Sequence, residues 1–140
     1  MGQTYAGDIS SQEAWRVLQE GQNSVLVDVR TQPEWAFVGL PDLSDLGQRP
    51  VCVEWQTYPQ MKVNGGFASA VKAADIGKDA TVLLLCRSGA RSRSAAMALT
   101  QAGFARCFNV ADGFEGPLDG DGHRGNQVGW KAVGLPWKQG

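Results

Sequence analysis

Cys86 is the residue of this chain best placed to act as a nucleophile. It closes the apolar run 82–85 and is followed directly by Arg87, Ser88, Gly89, Ala90, Arg91 and Ser92. Most cysteines in globular proteins are buried among apolar groups and inert, whereas this one stands where a strand gives way to a short cationic loop. A thiol attacks only as its thiolate, and a free cysteine, with a pKa near ~8.5, holds little of that form at neutral pH. Nearby guanidinium groups and the amino terminus of a following helix both favour the anion. Gly89, with the small residues Ser88 and Ala90, lets successive backbone N–H groups turn inward as an anion nest. Arg91, at the junction of loop and helix, can fork onto an oxyanion. Cys86 is thus the candidate nucleophile, and Arg87, Ser88, Gly89, Ala90, Arg91 and Ser92 are the candidate substrate-binding loop.

Other chemistry-bearing residues give weaker signals. Asp28 and Arg30 end the run "SVLVDVR" on the same rim as Cys86 and are candidates for a supporting role. An ion pair that fixes the loops is the favoured reading for them over direct catalysis. Trp35, Trp55 and Tyr58 are candidate pocket walls, with core packing the plainer alternative. Cys52 and Cys107 sit inside apolar runs and are expected to be inert. His123 is the only histidine; pairing it with Cys86 as a protease dyad is disfavoured, because the loop is cationic. No close ligand pair suits zinc. "GDGHRG" (120–125) matches G-x-G-x-x-G formally, but it follows acidic turn residues rather than a strand and reads as a chance match. Neither a metal nor a cofactor is expected.

The elements that must position Cys86 alternate along the chain. "ISSQEAWRVLQEG" opens with a capping box, Ser10 and Glu13, presents Ala14, Trp15 and Leu18 on one stripe, and stops at Gly21. "SVLVDVR" (24–30) and "VCVEW" (51–55) read as strands covered on both faces. "FASAVKAADIG" places Phe67, Ala70, Val71 and Ala74 on one helical face. "TVLLLC" (81–86) reads as the central strand and "RSRSAAMALTQAG" as a helix that turns Ala95, Ala96, Leu99 and Ala102 toward a sheet. "CFNV" (107–110) is a last short strand, and a short helix is expected near 128–133. Strand alternating with helix implies right-handed crossovers and a parallel sheet with helices on both faces, an α/β fold. In such sheets sites lie beyond the carboxyl ends of the strands, which is where Cys86 falls.

The chain has 140 residues, 43% of them apolar and 19% charged, with a net charge of −1. That suits a single domain over 1–140, with a core at about 4–113 and a glycine-rich carboxy-terminal extension at about 114–140. Near-zero charge argues against a general nucleic-acid or membrane-surface binder. The charge is unevenly spread: 86–106 carries four arginines and no acid, and 111–122 four acids and no base. There is no signal-peptide pattern, no run long enough to span a membrane, and no myristoylation motif, since Ala6 follows Gly2 where Ser or Thr is required. Three cysteines without close pairing favour a reducing, cytoplasmic setting.

"CRSGARS", followed by "AAMAL", "AGF" and "FNVADG", closely resembles the active-site loop and following helix of rhodanese-like domains. "LVDVRTQPEW" (26–35) resembles the Asp-x-Arg strand end and acidic-aromatic follow-up of that family. The departure is "FVGLPDL" (37–43), which lacks the Gly-His-Ile type turn frequent there. The resemblance implies a rhodanese-like fold and sulfur transfer. Cys86 would take a sulfane sulfur from thiosulfate or a similar donor as a persulfide. It would then pass that sulfur to cyanide or a thiol, a protein acceptor included. Arg91 and Arg87 would hold the sulfonate oxygens. Two alternatives stand beside it: a non-enzymatic persulfide carrier or redox sensor, and, less favoured, a cysteine-dependent phosphatase or arsenate reductase. Such phosphatases place Arg six positions after Cys, whereas here Arg91 stands at five and Ser92 at six.

Overall fold

In a computed structural model, residues 5–21, 23–116 and 128–139 are described. Gly2, the glycine run 120–125 and His123 lie outside them. The elements run β1 (Gly7–Ile9), α1 (Ser11–Glu20), β2 (Ser24–Asp28), a π-helical turn (Glu34–Val38), β3 (Leu40–Pro41), a 3-10 turn (Ser44–Leu46), β4 (Val51–Cys52), β5 (Gln56–Thr57), β6 (Lys62–Val63), α2 (Phe67–Ala73), β7 (Thr81–Leu85), α3 (Ala90–Gln101), β8 (Arg106–Val110) and β9 (Trp137–Lys138).

Five strands form an entirely parallel sheet in the order β1-β8-β7-β2-β4. Its register sets Leu26 beside Leu83 and Leu83 beside Phe108. Because side chains alternate across a strand, Leu26, Leu83, Leu85 and Val110 face Ala14 and Leu18 of α1, while Val27, Val82, Leu84 and Cys107 face α2 and α3. Both faces are covered, which explains why the strands read as continuous apolar runs. The α1 capping box forms as expected: Ser10 Oγ accepts from Glu13 N–H at 3.1 Å and Glu13 Oε1 from Ser10 N–H at 3.2 Å. On α2, Phe67 and Val71 are buried as expected, but Ala74 lies past the helix end and is exposed.

The edges depart from the sequence reading. Within 51–55 only two residues join the ladder, although Val53 and Trp55 N–H groups still reach the carbonyls of Asp28 and Val29 at 3.1 Å. An edge strand feels one neighbour only, so its hydrogen bonding fades as the chain veers away. Residues 128–134 form a run of turns, not the expected helix. The region read as an extension contributes to the core. Phe114 and Trp130 are fully buried; the Trp130 ring meets Trp15 edge-on at 5.9 Å, and its Nε1–H donates to Pro136 O at 2.7 Å. β9 then pairs antiparallel with β3.

Candidate active site

β7 ends at Leu85, and Cys86 is buried immediately beyond it. The loop turns at Gly89 (φ +102), a left-handed conformation in which a side chain would run into the Ala111 carbonyl. That turn brings Gly89 N–H to 3.1 Å from Cys86 Sγ, and α3 starts at the next residue with its amino terminus toward the sulfur. Ser92, in the first turn of α3, places Oγ 3.2 Å from the same sulfur and 2.5 Å from Asn109 Oδ1. The hydroxyl has one proton and two acceptors to serve. When it points to Asn109, the thiol's own hydrogen can close the chain; when it points to sulfur, it stabilises an anion there.

Asn109 is anchored from β8, its amide donating to Asp8 Oδ1 at 3.0 Å and to the Gly89 carbonyl at 3.2 Å. The sequence offered one signal for it, a polar residue inside an otherwise buried strand. The back of the loop is held by the segment after β8. Phe114 N–H donates to Cys86 O at 2.8 Å, and Glu115 and Gly116 N–H groups to Arg87 O at 3.0 and 3.1 Å. Gly113 (φ +71) packs so closely there that a Cβ would strike the Arg87 carbonyl. Ser11, opening α1, holds the neighbouring Asp112 through its N–H at 2.9 Å and its hydroxyl at 2.8 Å.

The two arginines, both expected to hold an oxyanion, are placed differently. Arg91 does not turn back over the nest: its guanidinium grips Glu34 with Nη1–Oε1 at 2.8 Å and Nη2–Oε2 at 2.9 Å. Arg87 has no such partner: among the described residues no hydrogen bond or ion pair engages its side chain, which is exposed at the mouth. Glu34 was missed as a site residue, because nothing local in "PEW" announces a partner 57 residues away. Burial acts to raise the Glu34 pKa, but the Arg91 hydrogen bonds and charge, with help from Thr31 and Arg30, outweigh it and hold it below the usual carboxylate value. Burial likewise acts to lower the Arg91 pKa, and Glu34, followed by Cys86 and Asp28, reverses that into a rise.

Glu34, Arg91 and Arg87 line a cleft of ≈ 450 Å³ with Val38, Gln56, Met61 and Glu115. None of Trp35, Trp55 and Tyr58 contributes to it; Trp55 packs edge-on against Phe67 at 5.3 Å, and Tyr58 points into solvent. A larger cavity of ≈ 540 Å³ opens elsewhere, between residues 40–50, Cys52 and Lys138, and does not include the Cys86 loop.

Asp28 and Arg30 form a fully buried pair, Nη2–Oδ2 2.6 Å, and Arg30 also donates to Gly39 O at 2.7 Å and lies 4.3 Å over the Phe114 ring. They brace the loops and do not line the cleft. Cys107 is buried as expected, and burial raises its thiol pKa. Cys52, expected inside the apolar interior, is exposed at the sheet edge. Desolvation of its sulfur by surrounding atoms, then the Asp28 charge, still pushes that thiol up to about 12. Among the described residues no cluster of His, Cys, Asp and Glu is arranged to hold a metal, and no helix is long and apolar enough to cross a membrane.

The crystal structure of Rv0390 from M. tuberculosis superposes with a TM-score of 0.88 at 50% identity, covering 97% of this chain and 99% of that one. An uncharacterized protein of Rickettsia conorii, RC0915, is 37% identical over 94% of this chain and 96% of its own length. A sulfurtransferase of Allochromatium vinosum is 28% identical over 92% of both chains. The thiosulfate sulfurtransferase GlpE of Pseudomonas fluorescens is 32% identical over 67% of this chain and 70% of its own. Residues 6–140 match the family described as the STR4 middle domain. With its parallel sheet, its strand-end cysteine loop and this match along nearly its whole length, the chain belongs to that family, a rhodanese-type domain among whose relatives are sulfurtransferases.

Proposed function

We propose that the protein is a sulfurtransferase of the thiosulfate type that carries a sulfane sulfur on Cys86. The observation that supports this most directly is the sulfur itself. It sits at a strand end, receives Gly89 N–H at 3.1 Å and has the Ser92 hydroxyl at 3.2 Å, both on a loop whose Arg87 and Arg91 enter the cleft wall. The Cys86 thiolate attacks the outer sulfur of thiosulfate. A Cys86–sulfur bond forms, the sulfur–sulfur bond of the donor breaks, and its electron pair leaves with sulfite. The persulfide is an anion, and each charge-assisted hydrogen bond to it contributes about 1.5–3 kcal/mol. Cyanide or a thiol then attacks the outer sulfur and returns Cys86 to the thiolate, a ping-pong cycle. Arg87 is the cation that meets the donor's sulfonate, because the Arg91 fork is already filled by Glu34. Three free cysteines suit a reducing, cytoplasmic setting.

Intact mass before and after thiosulfate treatment tests the reading. One sulfur should be added, map to Cys86, and leave on treatment with cyanide. Cys86→Ser should take up none while remaining folded, because the two side chains are of similar size. No added sulfur, or sulfur mapped to Cys52 or Cys107, refutes it.

A further inference from the structure

The cleft wall contains two cations, Arg87 and Arg91, and two carboxylates, Glu34 and Glu115. Its charge therefore sums to zero, although the loop beneath it belongs to the most basic segment of the chain. The cancellation is not diffuse. Glu34 presents both carboxylate oxygens to the Arg91 fork, the bidentate arrangement that an incoming sulfonate or other oxyanion would otherwise adopt. Thr31 fixes that carboxylate from behind, its N–H and hydroxyl donating to Oε1 at 3.2 and 3.0 Å. The π-helical turn carrying Glu34 is itself pinned, with Lys131 Nζ donating to Val38 O at 2.9 Å and Gln139 to Phe37 O at 2.7 Å. An anion bound at the fork would have to displace a carboxylate that Thr31 holds from behind and whose turn is pinned at Phe37 and Val38.

From this geometry we infer that Glu34 is a specificity-determining residue, a built-in carboxylate that denies Arg91 to small anions and sets how strongly the site discriminates against charged reagents. The inference rests on Cys86 being the nucleophile. It does not require that thiosulfate be the donor. Arg87 is left as the cation that recruits anions, and a reagent gains or loses access to Cys86 according to its charge and not its size.

Alkylation of Cys86 separates charge from shape, because iodoacetate and iodoacetamide differ little except in charge. Their rates are measured at neutral pH by peptide mass at Cys86, in the wild type, in Glu34→Gln and in Arg91→Met. Glu34→Gln keeps the oxygen that Thr31 holds and removes the charge. The iodoacetate-to-iodoacetamide rate ratio should rise about three- to tenfold, as expected for one charge removed at a solvent-facing wall. Arg91→Met, which strands the Glu34 charge, should lower the ratio by a similar factor. If the ion pair only shapes the loop, the two reagents change together. A ratio within about twofold of wild type in either variant therefore overturns the inference. A shifted ratio with no sulfur uptake from thiosulfate would leave the charge filter standing and refute the donor assignment instead.

Discussion

Replacing Arg91 by Ala tests, through stability, whether the Arg91 fork is committed to Glu34. The Arg91 and Glu34 side chains are 18% and 19% exposed and bonded twice, so the pair is neither a free surface pair nor a buried one. Exposed pairs contribute about 0.2–1 kcal/mol, and stranding one partner of a buried pair costs about 3–5 kcal/mol. An intermediate pair should cost about 1.5–3 kcal/mol at neutral pH, a fall in Tm of roughly 5–10 °C for a domain of this size. The sign of the pH dependence follows from Glu34. Its folded pKa lies below the ordinary value, so its contribution is fully present above the ordinary carboxylate range and is lost as pH falls through the lowered value. Urea titrations of wild type and Arg91→Ala between about pH 7 and about pH 3 should therefore show a difference that is largest at the neutral end and shrinks toward zero in acid. A variant as stable as wild type at neutral pH, or a difference that grows on acidification, refutes the argument. So does a large loss of thiosulfate affinity without loss of stability, which would return Arg91 to the donor.

Arg87→Ala should raise the thiosulfate KM about tenfold, as expected for one lost charge-assisted contact, and change stability by less than about 0.5 kcal/mol; steady-state kinetics and a melting curve check both. Ser92→Ala removes a hydroxyl near the sulfur and leaves Asn109 Oδ1 buried beside a methyl group. It should lower kcat/KM about 10- to 100-fold and stability by about 1–3 kcal/mol, and an unchanged kcat/KM would remove Ser92 from the chemistry.

What was legible in the sequence was local or periodic. The Ser10–Glu13 box spans one helical turn, and the 81–86 run is buried on both faces, so few other structures suit it. The strand-end place of Cys86 was legible because an apolar run there meets a short loop with a glycine and two arginines. Glu34 was not, since its partner is decided by how a π-helical turn folds over α3, and a bidentate grip leaves no trace in residue spacing. The same holds for Asn109, whose value lies in reaching Asp8, Gly89 and Ser92 at once. The short pairs at the margins, β1 on β8 and β3 with β9, have too few residues to show a period of two. The glycine-rich tail concealed Trp130, one large side chain that belongs to the core.

The pins on the Glu34 turn join positions far apart in the chain, 93 residues for Lys131 to Val38 and 102 for Gln139 to Phe37. Ser11 meets Asp112 across 101, and β1 has no sheet neighbour until β8 is available. Contacts of such separation must pay loop-closure entropy before they return any stability, so they form late in folding. During synthesis the Cys86 loop can leave the ribosome and α3 can coil while the turn that carries Glu34 is still unfastened. On the roles proposed for Cys86 and Glu34, the nascent chain passes through a stage with its nucleophile present and its selectivity absent. On the same proposal, discrimination would wait until residues 128–139 have docked against the Glu34 turn.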